Sequence, residues 1–259
     1  MPPTLHFDAR EYAPGRQPAH DHQEVHLSIV LRGSVTETVG ARTEHGGPLS
    51  IVVKDRGVRH ANQFGQGGAT LARLSLVGGV SDLLDDPRRA VEWSWTHNHA
   101  AVASFLRIIV RQPERGRDVP AHDADIVDLL SALSARPEER PRGDPPRWLV
   151  DALGWLRAEW HPALTVADAA AYARVHPVYL ARCVRRWFGH SVADELRRLR
   201  LGSAAQRVAF RGEGLSQVAF DAGYADQAHF CREFRRATGI TPSTYRAAVR
   251  QLTRVTGAG

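Results

Sequence analysis

Cysteine is almost missing from this sequence: Cys183 and Cys231 are the only two, and both fall in predicted helices. That excludes a disulfide framework and a cysteine-built metal site, and it fits a reducing compartment. Long apolar runs are missing too. No stretch approaches the roughly 20 apolar residues needed to span a bilayer, and Met1 to Arg10 lacks an apolar core for export. The expectation is a cytoplasmic protein that does not engage a membrane. Lysine is equally scarce, since Lys54 stands alone among 34 basic residues and the rest are arginines. Basic surface in this chain is therefore guanidinium surface.

What is present divides in two. Split after Pro146, the first part carries 17 Lys+Arg against 19 Asp+Glu and the second 17 against 9, so the net +6 is −2 plus +8. A basic unit beside a slightly acidic one places any polyanion partner on the second, because positive surface attracts phosphate at long range. Between them lies Arg136 to Arg147, with four prolines, one glycine and no apolar anchor, which reads as a linker.

The first part reads as short strands at His26 to Leu31, Ser34 to Val39, Leu49 to Val53 and Thr70 to Val77. Gly33, Gly46-Gly47 and the Gly65 to Gly68 cluster separate them, as in a small sandwich or barrel. The period turns helical between Ala100 and Arg136. In Ala121 to Ala135, Ile126, Leu129, Leu130 and Leu133 share one face behind Asp123, Asp125 and Asp128. That stripe suits an intramolecular core or a second subunit.

The second part reads as helices throughout: Trp148 to Trp160, Thr165 to Ala173, His176 to Phe188, Ser191 to about Phe210, Ser216 to Ala222 and Asp226 to Thr238. Ser191 with Asp194 fits a capping box, and Thr241-Pro242 starts a last helix after Gly239. Displacing the chain on itself by 50 residues aligns Ala169 with Ala219, Arg182 with Arg232, Arg185 with Arg235, Arg186 with Arg236 and Gly189 with Gly239. Leu180 meets Phe230, Val184 meets Phe234, and Ala173 meets Gly223. A unit of short helix, tight turn and longer helix has been duplicated.

Physical chemistry gives this unit a use. Phe230 and Phe234, four apart, must face a core, which at 100° per residue sends Ala228, Arg232, Arg235 and Arg236 outward with Cys231 at the margin. Val178, Arg182, Arg185 and Arg186 are their counterparts. A helix with arginines outside and Gln227 at its start can enter a major groove. The helix between the units, about 20 residues or roughly 30 Å long, nearly matches the ~34 Å between successive major-groove turns.

The segment LSQVAFDAGYADQAHFCREFRRATGITPSTYR, Leu215 to Arg246, resembles the signature of the AraC family of bacterial transcription regulators. The resemblance covers roughly Trp148 to Val249. It implies a seven-helix domain with two recognition helices in adjacent major grooves of promoter or operator DNA. It also implies base-reading positions at Val178, Ala181 and Arg182 and at Gln227, Ala228, Cys231 and Arg232.

A second constellation lies in front. In Pro18 to Gly33, His20, His22, Glu24 and His26 alternate, so on one strand they would share a face. Neutral imidazoles so spaced can bind a divalent transition metal such as Zn, Ni or Fe, with His60 as a further ligand. Equally, an open sheet burying Val25, Leu27, Ile29 and Leu31 would leave these histidines to line an organic-ligand pocket. His97 and His99, beside Trp93 and Trp95, read as packing or a pocket rim. The pattern resembles the cupin barrel, matching at His20, His22, Gly33 and His60, with His26 in place of the motif's glutamate and Asp55 in place of its proline.

Together these readings give an α+β chain. A cupin-like β-barrel with following helices forms a sensor and dimerisation domain at 1–135, a linker covers 136–147, and an all-α domain with two helix-turn-helix units joined by a linker helix occupies 148–259. The function implied is that of a non-enzymatic, sequence-specific regulator, working as a homodimer and answering to a small-molecule or metal effector. Two other classes compete: a metal-dependent cupin enzyme with a DNA-binding appendage, and an architectural DNA-binding protein without an effector.

Overall fold

A computed structural model describes residues 4–76, 93–111, 118–120, 124–134 and 143–254. Val77, Ala121 to Asp123, Ala135 and the 136–142 part of the expected linker lie outside the described residues. The strands are β1 (Thr4–Tyr12), β2 (Gly15–His20), β3 (Val25–Val39), β4 (Arg42–Gly46), β5 (Ile51–Lys54), β6 (His60–Leu76), β7 (Trp95–Thr96) and β8 (Asp118–Pro120). Their path is β7-β5-β3-β6-β1-β8, with β2 on β6 and β4 on β3. Among the described residues β7 and β8 do not pair, so the sheet stays open where a closed barrel was expected. At two and three residues, these edge strands are too short to complete a closing ladder.

Two glycine sites expected to end strands lie inside them. Gly33 and the Gly65 to Gly68 cluster sit within β3 and β6, which run 15 and 17 residues. The registers shift between Val30 and Arg32 and between Gly33 and Val35. Gly33 has φ +74, and a Cβ there would stand 1.9 Å from the Gly68 carbonyl oxygen. The glycine therefore permits a bulge and a close crossing of two strands, as only glycine can.

The helices are α1 (His99–Arg111), α2 (Ala124–Ser134), α3 (Arg147–Ala158), α4 (Val166–Tyr172), α5 (Pro177–Phe188), α6 (Val192–Phe210), α7 (Leu215–Asp221), α8 (Gln227–Thr238) and α9 (Pro242–Arg254). Among the described residues none is long and apolar enough to cross a membrane. Ser191 and Asp194 close the capping box at α6 as the sequence predicts, and Thr165 with Asp168 forms another at α4.

One apolar core joins the two halves. It runs from Leu27, Ile29 and Leu31 of β3 through Phe105 and Ile109 of α1 to Phe230 and Phe234 of α8 and Tyr245 of α9. Each buried Leu, Ile or Phe contributes about 1.5–3 kcal/mol. Ile126, Leu129 and Leu130 of α2 are buried in the same core, with Leu133 packed against it. The α2 stripe is thus intramolecular, and these four leave no apolar face for a second subunit. A separate core holds α3, α4, α5 and the start of α6 through Leu149, Leu153, Leu180, Val184 and Val192.

Candidate nucleic-acid interface and sensory pocket

The duplicated units share one backbone pattern, with one correction to the sequence alignment. In the first, Arg174 N–H bonds the Ala171 carbonyl and Val175 N–H the Ala170 carbonyl; in the second, Gly223 N–H bonds Phe220 and Tyr224 N–H bonds Ala219. The offset through the short helix and turn is therefore 49, and it becomes 50 only at α5 and α8. The left-handed residue of the first turn is Arg174 (φ 54), while Ala173, expected to match Gly223, is right-handed. The expected match of Ala169 with Ala219 correspondingly becomes Ala169 with Val218 and Ala170 with Ala219, all buried.

Each long helix shows the arginine face read from its period. On α5, Leu180 and Val184 are buried while Val178, Arg182, Arg185 and Arg186 are exposed, and Ala181 is partly covered. On α8, Phe230 and Phe234 are buried, Gln227, Ala228, Arg232, Arg235 and Arg236 are exposed, and Cys231 is partly covered. Both starts are capped, by His176 Nδ1 accepting from the Val178 N–H at 3.3 Å and by Asp226 accepting from the His229 N–H at 2.6 Å. Both ends turn on a left-handed glycine, Gly189 and Gly239.

The two faces differ in chemistry. Gln227 Oε1 accepts from the Ser216 hydroxyl at 2.6 Å, which orients the amide and leaves its NH₂ group facing out as a donor. The first helix presents Val178, 61% exposed, at the equivalent turn, and Arg182 lies over the Tyr179 ring at 5.9 Å. Helix α6, 19 residues and about 28 Å long, separates the units.

Glu195 anchors α6 from inside. It is buried and meets Arg157 of α3 at 2.8 Å, His190 at 3.2 Å and Arg198 at 3.7 Å. Burial alone would raise its carboxyl, but Arg157 and His190 hold it well below the usual carboxylate range.

In the sheet, His20, His22, His26 and His60 converge, though for a different reason from the expected alternation. The chain leaves β2 at His20 and re-enters the sheet at Val25. His20 sits in register with His60 of β6, and the ring of His26 of β3 lies beside that of His22. The ring of His20 lies 4.3 Å from that of His60, and His22 lies 4.1 Å from His26. The donor atoms of His20, His22 and His60 all fall within 4.8 Å of one another. His26 stands outside that trio, as does Glu24, whose half-exposed carboxylate is 3.9 Å from His26 Nε2. Burial pushes His22 down to about 4 and His26 down to about 2; it also lowers His60, with the Lys54 charge adding to it. These imidazoles are neutral at pH 7 and offer lone pairs.

Residues that the sequence reading did not single out complete this pocket. Glu37, fully buried, accepts from Lys54 Nζ at 2.7 Å, Trp93 Nε1 at 2.7 Å and Trp95 Nε1 at 3.0 Å. Lys54 Nζ also lies 3.4 Å from His60 Nε2. The sole lysine of the chain, directly after the apolar run Ile51 to Val53, was the available signal. Trp93 and Trp95 are thus tied to the pocket, whereas His97 and His99, read as packing or a rim, do not line it; His97 faces Arg198 and Glu195 of α6. The cavity measures about 80 Å³, lined also by Arg73, Tyr12 and Asn62. That is room for about five waters or a small ligand.

Comparison with known proteins places the helical half. A family described as a helix-turn-helix domain matches residues 169–248. Regulatory protein SoxS of Escherichia coli is 30% identical over 98 residues, 38% of this chain and 92% of SoxS. The raffinose operon transcriptional regulatory protein RafR of Pediococcus pentosaceus is 28% identical over 98 residues, 38% of this chain but only 35% of RafR. The match thus spans about a third of the length of such longer relatives. Among solved structures, the DNA-binding domain of the global transcriptional factor AdpA, in complex with a target DNA, is 25% identical over 45% of this chain and 100% of that one, with TM-score 0.37.

Proposed function

Because the chain belongs to the AraC family of transcription regulators, we propose that α5 and α8 are its recognition helices and that the histidine pocket of the sheet receives its effector. The observation that carries the first part is the duplicated arginine face, exposed on both long helices, which are joined by α6, about 28 Å long. In this reading Val178, Ala181 and Arg182 face bases from α5, and Gln227, Ala228, Cys231 and Arg232 do so from α8. Arg185, Arg186, Arg235 and Arg236 contact phosphates. The sheet acts as a cupin-like sensor. Its apolar core is continuous with α8 and α9, which gives a physical route from pocket to DNA-binding surface. Two copies would then act together on one promoter, through surface other than the buried α2 stripe.

A gel-shift series on the promoter nearest the protein's own gene tests this. Arg182→Ala with Arg232→Ala should weaken binding by about 1–3 kcal/mol for each lost base contact and flatten the salt dependence. Unchanged affinity and salt slope would refute the assignment.

A further inference from the structure

The effector pocket contains more than a general cavity requires. His20 Nδ1 lies 2.8 Å from the Pro18 carbonyl oxygen and His60 Nδ1 lies 2.9 Å from the Val58 carbonyl oxygen. A carbonyl only accepts, so both Nδ1 atoms carry the proton and both Nε2 atoms keep a lone pair. Backbone carbonyls that fix tautomer and ring orientation in this way are the outer shell of histidine metal sites. His22 supplies the third donor within the 4.8 Å group. Drawing such a trio onto one ion at about 2.0–2.1 Å per bond needs a closure of roughly an ångström. The donor set is all nitrogen, which suits zinc, nickel, cobalt or ferrous iron and disfavours calcium and magnesium.

Lys54 complicates this simple site. Its ammonium group points at the same Nε2 lone pair of His60 that an ion would take. It is held there by Glu37, itself gripped by two indole N–H groups. Resting on the reading of this pocket as the sensory site, we propose that His20, His22 and His60 bind one divalent transition metal ion in direct competition with the tethered Lys54 ammonium. Entry of the ion breaks the Lys54 to His60 contact and leaves Lys54 wholly on Glu37. The change is passed to Trp93 and Trp95 through the shared carboxylate. Lys54 thereby sets the metal concentration at which the sensor responds, since it places a positive charge beside the ion and occupies one of its ligands.

The test uses the full-length chain and Co²⁺, with Zn²⁺ as competitor. Co²⁺ should bind once per chain, give visible absorption bands and shift the tryptophan fluorescence. Zn²⁺ should abolish the bands. His20→Ala and His22→Ala, at partly exposed positions, should each weaken binding by more than the roughly 10- to 100-fold that loss of an outer-shell partner costs. Lys54→Gln keeps a donor for Glu37 and removes the charge, so it should tighten binding by about tenfold or more. Glu37→Gln with Lys54→Met, which neutralises the pair without leaving a buried charge, should do the same and guards against misfolding of the single variant. Wild-type Co²⁺ binding no tighter than that of His22→Ala overturns the site, and unchanged affinity in both Lys54 variants overturns the competition. Promoter binding is measured on the same preparations. If DNA is bound and Co²⁺ is not, the metal inference falls and the regulator stands; if Co²⁺ is bound and DNA is not, the reverse holds.

Discussion

Gln206, on the α6 helix between the two duplicated units, accepts a hydrogen bond at 2.9 Å from the backbone N–H of Gly33, the bulge residue of β3. The sheet and the helical half meet here through a directional contact. Nearby, Arg32 lies over the Phe210 ring and Gly202 of α6 packs on Pro48. Gln206→Ala leaves the Gly33 N–H without its partner, which should lower stability by about 1–3 kcal/mol. Urea unfolding followed by tryptophan fluorescence measures this. A midpoint unchanged within error would mean that the contact is replaced by water at no loss.

The two turns that look interchangeable in sequence carry different strain. Arg174 adopts the left-handed conformation that Gly223 adopts in the second unit, and a side chain there is disfavoured by roughly 1–2 kcal/mol. Arg174→Gly should therefore stabilise the chain by up to about 1 kcal/mol, a few degrees in melting temperature. Gly223→Ala should destabilise it by more, because its Cβ would also stand 2.8 Å from Pro162 Cβ. Thermal melts of the two variants should move in opposite directions, and movement in the same direction would contradict the 49-residue alignment of the turns.

That alignment shows what was legible in the chain and what was not. Caps and amphipathic faces are local, so Ser191 with Asp194 and Phe230 with Phe234 could be read directly. The alternation of Leu5, Phe7 and Ala9 also marks β1, which lies outside the strands expected from the sequence. Gly33 and Gly65 to Gly68 looked like strand ends because a bulge and a break use the same residue. The registers set Glu37 opposite Asn62 and Lys54 opposite His26, so no local pattern contains the Glu37 to Lys54 partnership; the meeting of His20 and His22 with His60, by contrast, was legible in the cupin-like spacing. Arg174 was invisible because nothing in its side chain announces a positive φ.

Acid should loosen the junction between the halves. Burial and Arg198 push His97 down to about 3, against the opposing pull of Glu195, with Arg157 and His190 also facing it. Burial and Arg157 push His45 down to about 4, again opposed by Glu195. Both rings are neutral in the fold, yet in the unfolded chain they take a proton near pH 6.5. Their contribution to stability is thus complete above pH 6.5 and is lost as pH falls towards 4. The loss is at most about 1.4 kcal/mol per pH unit for each ring, less to the extent that water reaches it. The pocket histidines His22 and His26 act in the same direction. Urea midpoints at pH 7.5, 6.0 and 5.0 should fall steadily, and His97→Gln should shallow the decline. A midpoint that climbs on acidification would exclude this account.

Two positions on α8 should fail differently when altered. Gln227, oriented by Ser216, offers donors to a base edge, whereas Arg235 is exposed one turn from the helix end, where a phosphate contact is the natural role. Gln227→Ala should reduce affinity for the native promoter by about 1–3 kcal/mol while leaving non-specific DNA binding and the salt slope nearly unchanged. Arg235→Ala should weaken native and scrambled DNA alike and reduce the salt slope by about one unit. Ser216→Ala separates orientation from contact: freed from its partner, the Gln227 amide should lose part of its base discrimination, giving a smaller effect of the same kind. Fluorescence anisotropy on native and scrambled duplexes across a salt series reads all three. If Gln227→Ala weakened both duplexes equally, α8 would be reading DNA through charge and shape alone.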